Sequence, residues 1–102
     1  MRKISMRQAE RAQPVPVLVV LPRILVNLFP GSAREVTVSA ATVRDAIDAL
    51  DARWPGMRDR LCDSRPAIRR HINVFVDGDK ATLDTPLTPG TEIIIMTAIS
   101  GG

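Results

Sequence analysis

The chain has 102 residues, of which 45% are hydrophobic and 25% are charged, enough for one domain with a modest core but not for two. Its single cysteine, Cys62, excludes an intramolecular disulfide, and its apolar runs are too short to span a bilayer. The first residues lack the apolar segment of a signal peptide. We therefore expect a cytoplasmic protein that does not bind a membrane.

The net charge of +3 comes entirely from residues 1–14, which contain four basic side chains and one acidic one. Residues 15–102 balance ten basic against ten acidic side chains and include the chain's three aromatic residues. This composition lacks the basic groove and stacking surface of nucleic-acid-binding proteins, so no nucleic-acid partner is expected. We interpret residues 1–14 as a basic, disordered extension in which Met6 is an alternative start.

The first part of the body predicts two strands. Val17 to Leu21 is apolar and largely β-branched, and Pro22 ends the run. Arg34 to Ser39 then alternates between polar and apolar residues after a Pro30-Gly31 turn signal. We expect a hairpin-like connection between the two strands.

A helix is predicted to begin after Thr42, which stands three residues before Asp45 as an N-cap would. Pro55 ends the helix, and a weaker helical turn over Met57 to Leu61 follows. The helix has one apolar face, formed by Val43, Ala46, Ile47 and Leu50. On its other face we expect three hydrated carboxylates, those of Asp45, Asp48 and Asp51.

The last third of the chain predicts three more strands. Ile72 to Val76 is followed by an Asp77-Gly78-Asp79 turn and by a short strand near Lys80 to Thr82. The final strand, Glu92 to Ile99, follows a Pro89-Gly90 turn. The order β-β-α-β-β-β predicts an α+β domain over residues 15–99, with one main helix on one face of a mixed, four- to five-stranded sheet.

The sequence ends in Gly101-Gly102, separated from the final strand by Ser100. Two glycines form a slender stem without a Cβ atom, ending in a free carboxylate. Taken alone, the pair is equally compatible with a frayed end. After a strand-like run, it predicts a tail, residues 100–102, that enters the active site of another protein.

This strand order with its terminal diglycine resembles the ubiquitin-like β-grasp sulfur-carrier family of the ThiS and MoaD type. The resemblance covers residues 15–102 and is closest to the actinobacterial carrier that serves a cysteine synthase. The matching segments are Leu21 to Leu25, Thr42 to Ile47, Arg60-Leu61, His71 to Asp77, Leu87 to Gly90 and Ile99 to Gly102.

The resemblance implies that the Gly102 carboxylate is adenylated with ATP by an E1-like adenylyltransferase and sulfurtransferase. The adenylate is then converted to a thiocarboxylate, with Gly101 as the flexible stem. The implied sulfur acceptors are a cysteine synthase, a thiazole synthase or the large subunit of a molybdopterin synthase. A metalloprotease is a further implied partner, which releases an amino acid built on the tail.

The resemblance also implies that the chain is a cosubstrate rather than an enzyme and binds no cofactor. Its glycines do not form a phosphate-binding loop, so ATP is expected to bind the partner. With one histidine, His71, no metal cluster is expected. Two alternatives use the same tail: a ubiquitin-like modifier that forms isopeptide bonds, and the small subunit of a molybdopterin synthase.

The partner is expected to dock on the sheet face that the helix leaves open. Strand alternation places Phe75, Ile94 and Met96 on that face, and Ile99 and Ser100 lead from it into the tail. The side chains predicted to face the helix are Val17, Val19, Leu21, Val36, Val38, Ile72, Val74, Val76, Ile93 and Ile95.

Two further features have a structural and a functional interpretation. Arg60 and Arg65 near Cys62 favour a reactive thiolate, whereas a lone cysteine is more often a packed core residue, the interpretation we prefer. A basic cluster is either a solvated edge or a surface that attracts an acidic partner. The cluster consists of Arg65, Arg69, Arg70 and His71.

Overall fold

A five-stranded mixed sheet forms the body of the computed structural model, which describes residues 13–98. The strands are β1 (Val15–Val20), β2 (Glu35–Ala40), β3 (Ile72–Val76), β4 (Asp79–Lys80) and β5 (Glu92–Thr97). The helices are α1 (Arg23–Leu28), α2 (Val43–Arg53) and α3 (Met57–Leu61). The strand order is β2-β1-β5-β3-β4, with β5 parallel to β1 and the other neighbours antiparallel. This is the predicted α+β, β-grasp arrangement.

The core lies between the sheet and α2, because each has one apolar face. Strand alternation is confirmed: nine of the ten side chains predicted to face the helix are buried, and Val76 packs against them half-buried. Their partners are the four apolar residues predicted for the helix face, none more than 2% exposed. Burial of each large apolar side chain contributes about 1.5–3 kcal/mol.

The start of α2 is held by two side chains. The Thr42 hydroxyl accepts a hydrogen bond from the Asp45 amide at 3.2 Å, as the predicted N-cap requires. The Asp45 carboxylate accepts one from the Ala41 amide at 3.3 Å. Such a cap stabilises a helix by about 1 kcal/mol.

Two of the carboxylates predicted to be merely hydrated instead attach α3 to α2. Asp51 Oδ1 accepts hydrogen bonds from the amides of Gly56, at 3.0 Å, and Arg58, at 2.9 Å. Asp48 Oδ1 accepts one from Arg58 Nε at 2.8 Å. Gly56 turns the chain between the helices with φ of +102°, a conformation that a side chain disfavours. The weak helical signal of α3 is thus supported by tertiary contacts.

The structure corrects the predicted connection between the first two strands. The chain forms α1 instead of a simple hairpin loop, because Pro22 suits a helix start and its carbonyl accepts from the Leu25 and Val26 amides. Leu25 is the one buried residue of this helix. One apolar anchor in six residues is too little for a visible helical period.

Several predicted boundaries also move. The short strand predicted near Lys80 to Thr82 ends at Lys80, and the following Ala81 is buried instead of lying on a strand. The last strand ends at Thr97, and Ile99 lies outside the described residues. Among residues 13–98, no helix has the length and hydropathy needed to cross a membrane.

Replacing Leu50 with alanine is expected to lower the free energy of unfolding by about 2–5 kcal/mol, because Leu50 is fully buried and a cavity would remain. The matched control is Leu28→Ala, the same change at a side chain that is 46% exposed. Urea unfolding followed by circular dichroism measures both. Equal losses in the two variants would contradict the described core.

Candidate functional site

The end of β5 is fixed from both sides because β5 lies in the middle of the sheet. Ile94 is opposite Val20 of β1 on one side and opposite Phe75 of β3 on the other. One residue beyond the strand, the Ala98 amide donates to the His71 carbonyl at 2.7 Å. The chain therefore leaves the described structure at a fixed point beside His71.

The open sheet face carries an apolar strip that leads to this exit. Phe75, Ile94 and Met96 alternate with the buried residues Val74, Ile93 and Ile95, and so point away from α2. Phe75 and Ile94 are half-buried neighbours, whereas Met96 is 50% exposed. We call these three residues, with Leu18 and Val20, the apolar strip.

The last two members of the strip were not among the predicted site residues. Leu18 and Val20 are half-buried and alternate with the inward-facing residues of β1. Val20 lies directly opposite Ile94 of β5. The alternation that identified Val17 and Val19 as core residues also predicts that Leu18 and Val20 point to the open face. Two partner-facing candidates of the sequence, Ile99 and Ser100, lie outside the described residues, as does the Gly101-Gly102 tail.

A shallow depression of about 310 Å³ lies where the strip approaches the end of β5. Its lining includes Ile94 and Met96 together with two arginines, Arg23 and Arg34. Arg34 is held in place by a 2.8 Å hydrogen bond from Nε to the Leu21 carbonyl. The depression combines apolar surface and positive charge next to the tail exit.

Cys62 is buried, as a packed core residue would be. It is 6% exposed and joins the core cluster beneath α2. Removal from water raises the pKa of the thiol, and the nearby Arg58 opposes this shift only in part. The structure thus favours the packed interpretation over a reactive thiolate.

Arg65, which was predicted to lie near the thiol, binds another group. Its Nε donates to Asp63 Oδ2 at 2.9 Å, and this bond lowers the pKa of Asp63 to about 2. The Asp63 carboxylate also accepts from the Ala67 amide at 3.0 Å. Arg65 therefore belongs to a local loop motif. Over residues 13–98, no three His, Cys, Asp or Glu side chains are grouped as a metal site would require.

Comparison with known proteins decides the family. The model described as the ThiS family matches residues 27–102. The chain belongs to the ThiS family. Within it, the chain is 30% identical over 92 residues to sulfur carrier protein CysO of Mycobacterium tuberculosis, covering 84% of this chain and 98% of that protein.

Two further relatives broaden this comparison. The chain is 36% identical over 62 residues to small archaeal modifier protein 1 of Haloferax volcanii, covering 61% of this chain and 71% of that protein. It is also similar to a chain of the Amycolatopsis orientalis BexX/CysO complex, with a TM-score of 0.76, 30% identity and coverage of 84% and 99%. The ubiquitin-like β-grasp fold is therefore shared with proteins of a family that includes sulfur carriers and ubiquitin-like modifiers.

Burial of Cys62 predicts a thiol that reacts slowly while the protein is folded. With its pKa raised, the group stays protonated at neutral pH, and the thiol is not the nucleophilic form. We expect labelling by a disulfide reagent at pH 7.5 to be at least about tenfold slower in native protein than in urea. Rapid, stoichiometric labelling of the native protein would instead indicate an activated cysteine.

Proposed function

We propose that this chain is a sulfur carrier whose Gly102 carboxylate is activated by a partner enzyme and converted to a thiocarboxylate. The observation that carries the proposal is the central position of β5, which is separated by three residues from a diglycine in a member of the ThiS family. The similarity to CysO over nearly its whole length supports the same function.

A carboxylate is a poor electrophile, so the Gly102 carboxylate must be activated before sulfur can be added. Attack of the Gly102 carboxylate on the α-phosphate of ATP forms an acyl adenylate and releases pyrophosphate. A hydrosulfide equivalent from a donor then attacks the acyl carbon, AMP leaves, and a C–S bond replaces the C–O bond to AMP. The thiocarboxylate keeps the sulfur covalently tethered and nucleophilic until an acceptor enzyme consumes it.

The chain's contribution is presentation of the reacting group, and the partner supplies ATP binding and catalysis. A fixed point of exit beside His71 limits the positions that the tail can reach, and this favours productive insertion into a channel. The relatives are carriers and modifiers rather than catalysts, which supports the role of a cosubstrate. We propose an E1-like adenylyltransferase as the activating partner and a sulfur-accepting synthase as the second partner.

The apolar strip is proposed as the surface on which these partners dock. Its half-exposed aromatic, thioether and branched side chains lie next to the tail exit, and such side chains are enriched at the centres of protein interfaces. A CysO relative is known in a complex with BexX, which supports a carrier that binds a partner protein. Ile99 and Ser100 are proposed to extend the contact toward the tail.

A ubiquitin-like modifier is the second candidate, favoured by the 36% identity to a small archaeal modifier. Here the activated Gly102 carbonyl is attacked by a lysine amine of a target protein, and an isopeptide bond forms. The two functions share the activation step and differ only in the nucleophile.

Intact mass measurement on protein from its native host tests the proposal. The carrier is expected to show the mass change of one oxygen replaced by sulfur, located at Gly102 by fragmentation. High-mass conjugates with target proteins would instead support the modifier. Neither product, in the presence of ATP and the host's activating enzyme, would overturn both.

Replacing Gly101 with valine is expected to reduce activation of Gly102 by about 100-fold or more, because a branched side chain obstructs a narrow channel and displaces the carboxylate. Pyrophosphate release with ATP and the activating enzyme measures the effect. The control, Ala98→Val, introduces the same branched side chain at an exposed residue three positions earlier. Unchanged activation of Gly101→Val would show that the tail does not enter a narrow site.

Replacing Met96 with alanine is expected to raise the KM for activation by about tenfold while leaving the unfolding midpoint unchanged, because Met96 is 50% exposed at the strip. The matched control is Leu28→Ala on α1, where the side chain has a similar exposure of 46%. Equal effects of both changes would place the docking surface elsewhere.

A further inference from the structure

The arginines of the described residues fall into two groups. Three of the nine form ion pairs: Arg44 with Asp84 at 2.9 Å, Arg58 with Asp48 at 2.8 Å, and Arg65 with Asp63. For the other six, no carboxylate oxygen of residues 13–98 lies within 4 Å. One of these, Arg53, lies over the Trp54 ring at 5.3 Å from its centroid.

The remaining five surround the end of β5. On one side, Arg69 and Arg70 directly precede His71, whose carbonyl holds Ala98, and Arg60 lines a groove together with Arg69 and His71. On the other side, Arg23 and Arg34 line the depression that includes Thr97. We call Arg23, Arg34, Arg60, Arg69 and Arg70 the basic collar.

The opposite end of the same strand is acidic. Glu92 begins β5 and its amide donates to Asp77 Oδ1 at 3.1 Å, while Asp79 and Lys80 form β4 on the far side of β3, so three carboxylates outweigh one ammonium group at this end. Two carboxylates, Glu35 and Asp59, lie at the collar end and leave it with an excess of positive charge. The body is neutral as a whole, so this separation gives it a charge asymmetry along the direction in which the tail leaves.

This asymmetry has a physical consequence for association. Guanidinium groups stay charged at all physiological pH values, and unpaired charges at the rim of an interface raise association rates by about 10- to 1,000-fold when the partner surface has the opposite sign. They also orient the approach, because the acidic end is repelled by the same surface. An apolar strip beside the collar favours a protein surface over a nucleic acid as its partner.

We propose that the basic collar docks against a carboxylate-rich surface around the opening through which the activating enzyme receives the tail. This inference rests on the proposed function and names the chemistry of its partner. The collar aligns Gly101-Gly102 with the opening before the apolar strip makes contact. It sets the rate of productive encounter and leaves the rate of adenylation itself unchanged.

The test compares two variants that carry the same total charge. Arg23→Gln with Arg70→Gln removes two collar charges whose side chains are exposed and make no hydrogen bond within residues 13–98. The control, Ser39→Glu with Thr82→Glu, adds two negative charges at exposed positions away from the collar. Both are assayed for kcat and KM by pyrophosphate release with the host's adenylating enzyme, purified by its activity on the wild-type chain.

At low salt, the collar variant is expected to lose about tenfold in kcat/KM with unchanged kcat, and the control less than about twofold. The difference is expected to vanish at roughly 1 M salt, where the Debye length is about 3 Å. Equal losses in the two variants, or a loss that salt does not remove, would overturn the collar while the proposed function stands.

Two other outcomes would also overturn the proposal for the basic collar. If no host enzyme activates the wild-type chain, the proposed function fails and the collar inference with it. A fluorescent DNA 20-mer serves as the second probe at about 0.15 M salt, where the sequence-independent phosphate contacts of non-specific binding are still measurable. Tight binding by wild type that the collar variant loses would assign the collar to a nucleic acid and overturn the proposal.

Discussion

Parallel pairing of the first and last strands is the constraint on which the rest of this structure depends. It places β5 between β1 and β3, so that hydrogen bonds from both neighbours fix the direction of the last strand. Further bonds continue the alignment at each end, from the Leu18 amide to the Thr91 carbonyl at 3.0 Å and from the Ala98 amide to the His71 carbonyl. A strand at the sheet edge would leave the path to the C-terminus free to vary. Here the diglycine follows, three residues later, a strand that is paired on both sides.

The three surfaces around this strand have separate roles because strand geometry keeps their side chains apart. One face of β5 is committed to the core by Ile93 and Ile95, and its intervening residues are left for contact with a partner. Positive charge is concentrated beyond the end of the strand, where backbone turns rather than strands carry Arg69 and Arg70. Stability and the proposed recognition and steering therefore involve different residues.

The sequence predicted what depends on periodicity and missed what depends on tertiary contacts. Alternation identified the inward faces of the strands, and the Thr42 cap located the start of α2, since both signals are local. The short helix α1 was not predicted because its single buried residue, Leu25, gives no helical period. Asp51 was assigned to solvent because its hydrogen-bond partners lie after α2, at the start of α3. The sequence indicated the Arg69-Arg70 side of the basic collar but not Arg23 and Arg34, which only the strand order places on the other side of the end of β5. Within the predicted basic cluster, nothing local separated the ion-paired Arg65 from its neighbours.

The position of β5 also determines how the domain responds to mechanical load. A pull on residues beyond Thr97 acts along the axis of the strand, and therefore in shear against the hydrogen bonds to β1 and β3. Bonds loaded in shear must break together, whereas those of an edge strand peeled from its end break one after another. An enzyme that draws the tail into a channel, or an unfolding machine that grips it, works against the strongest direction of the sheet. The domain is therefore expected to resist unfolding when a force is applied beyond the end of β5.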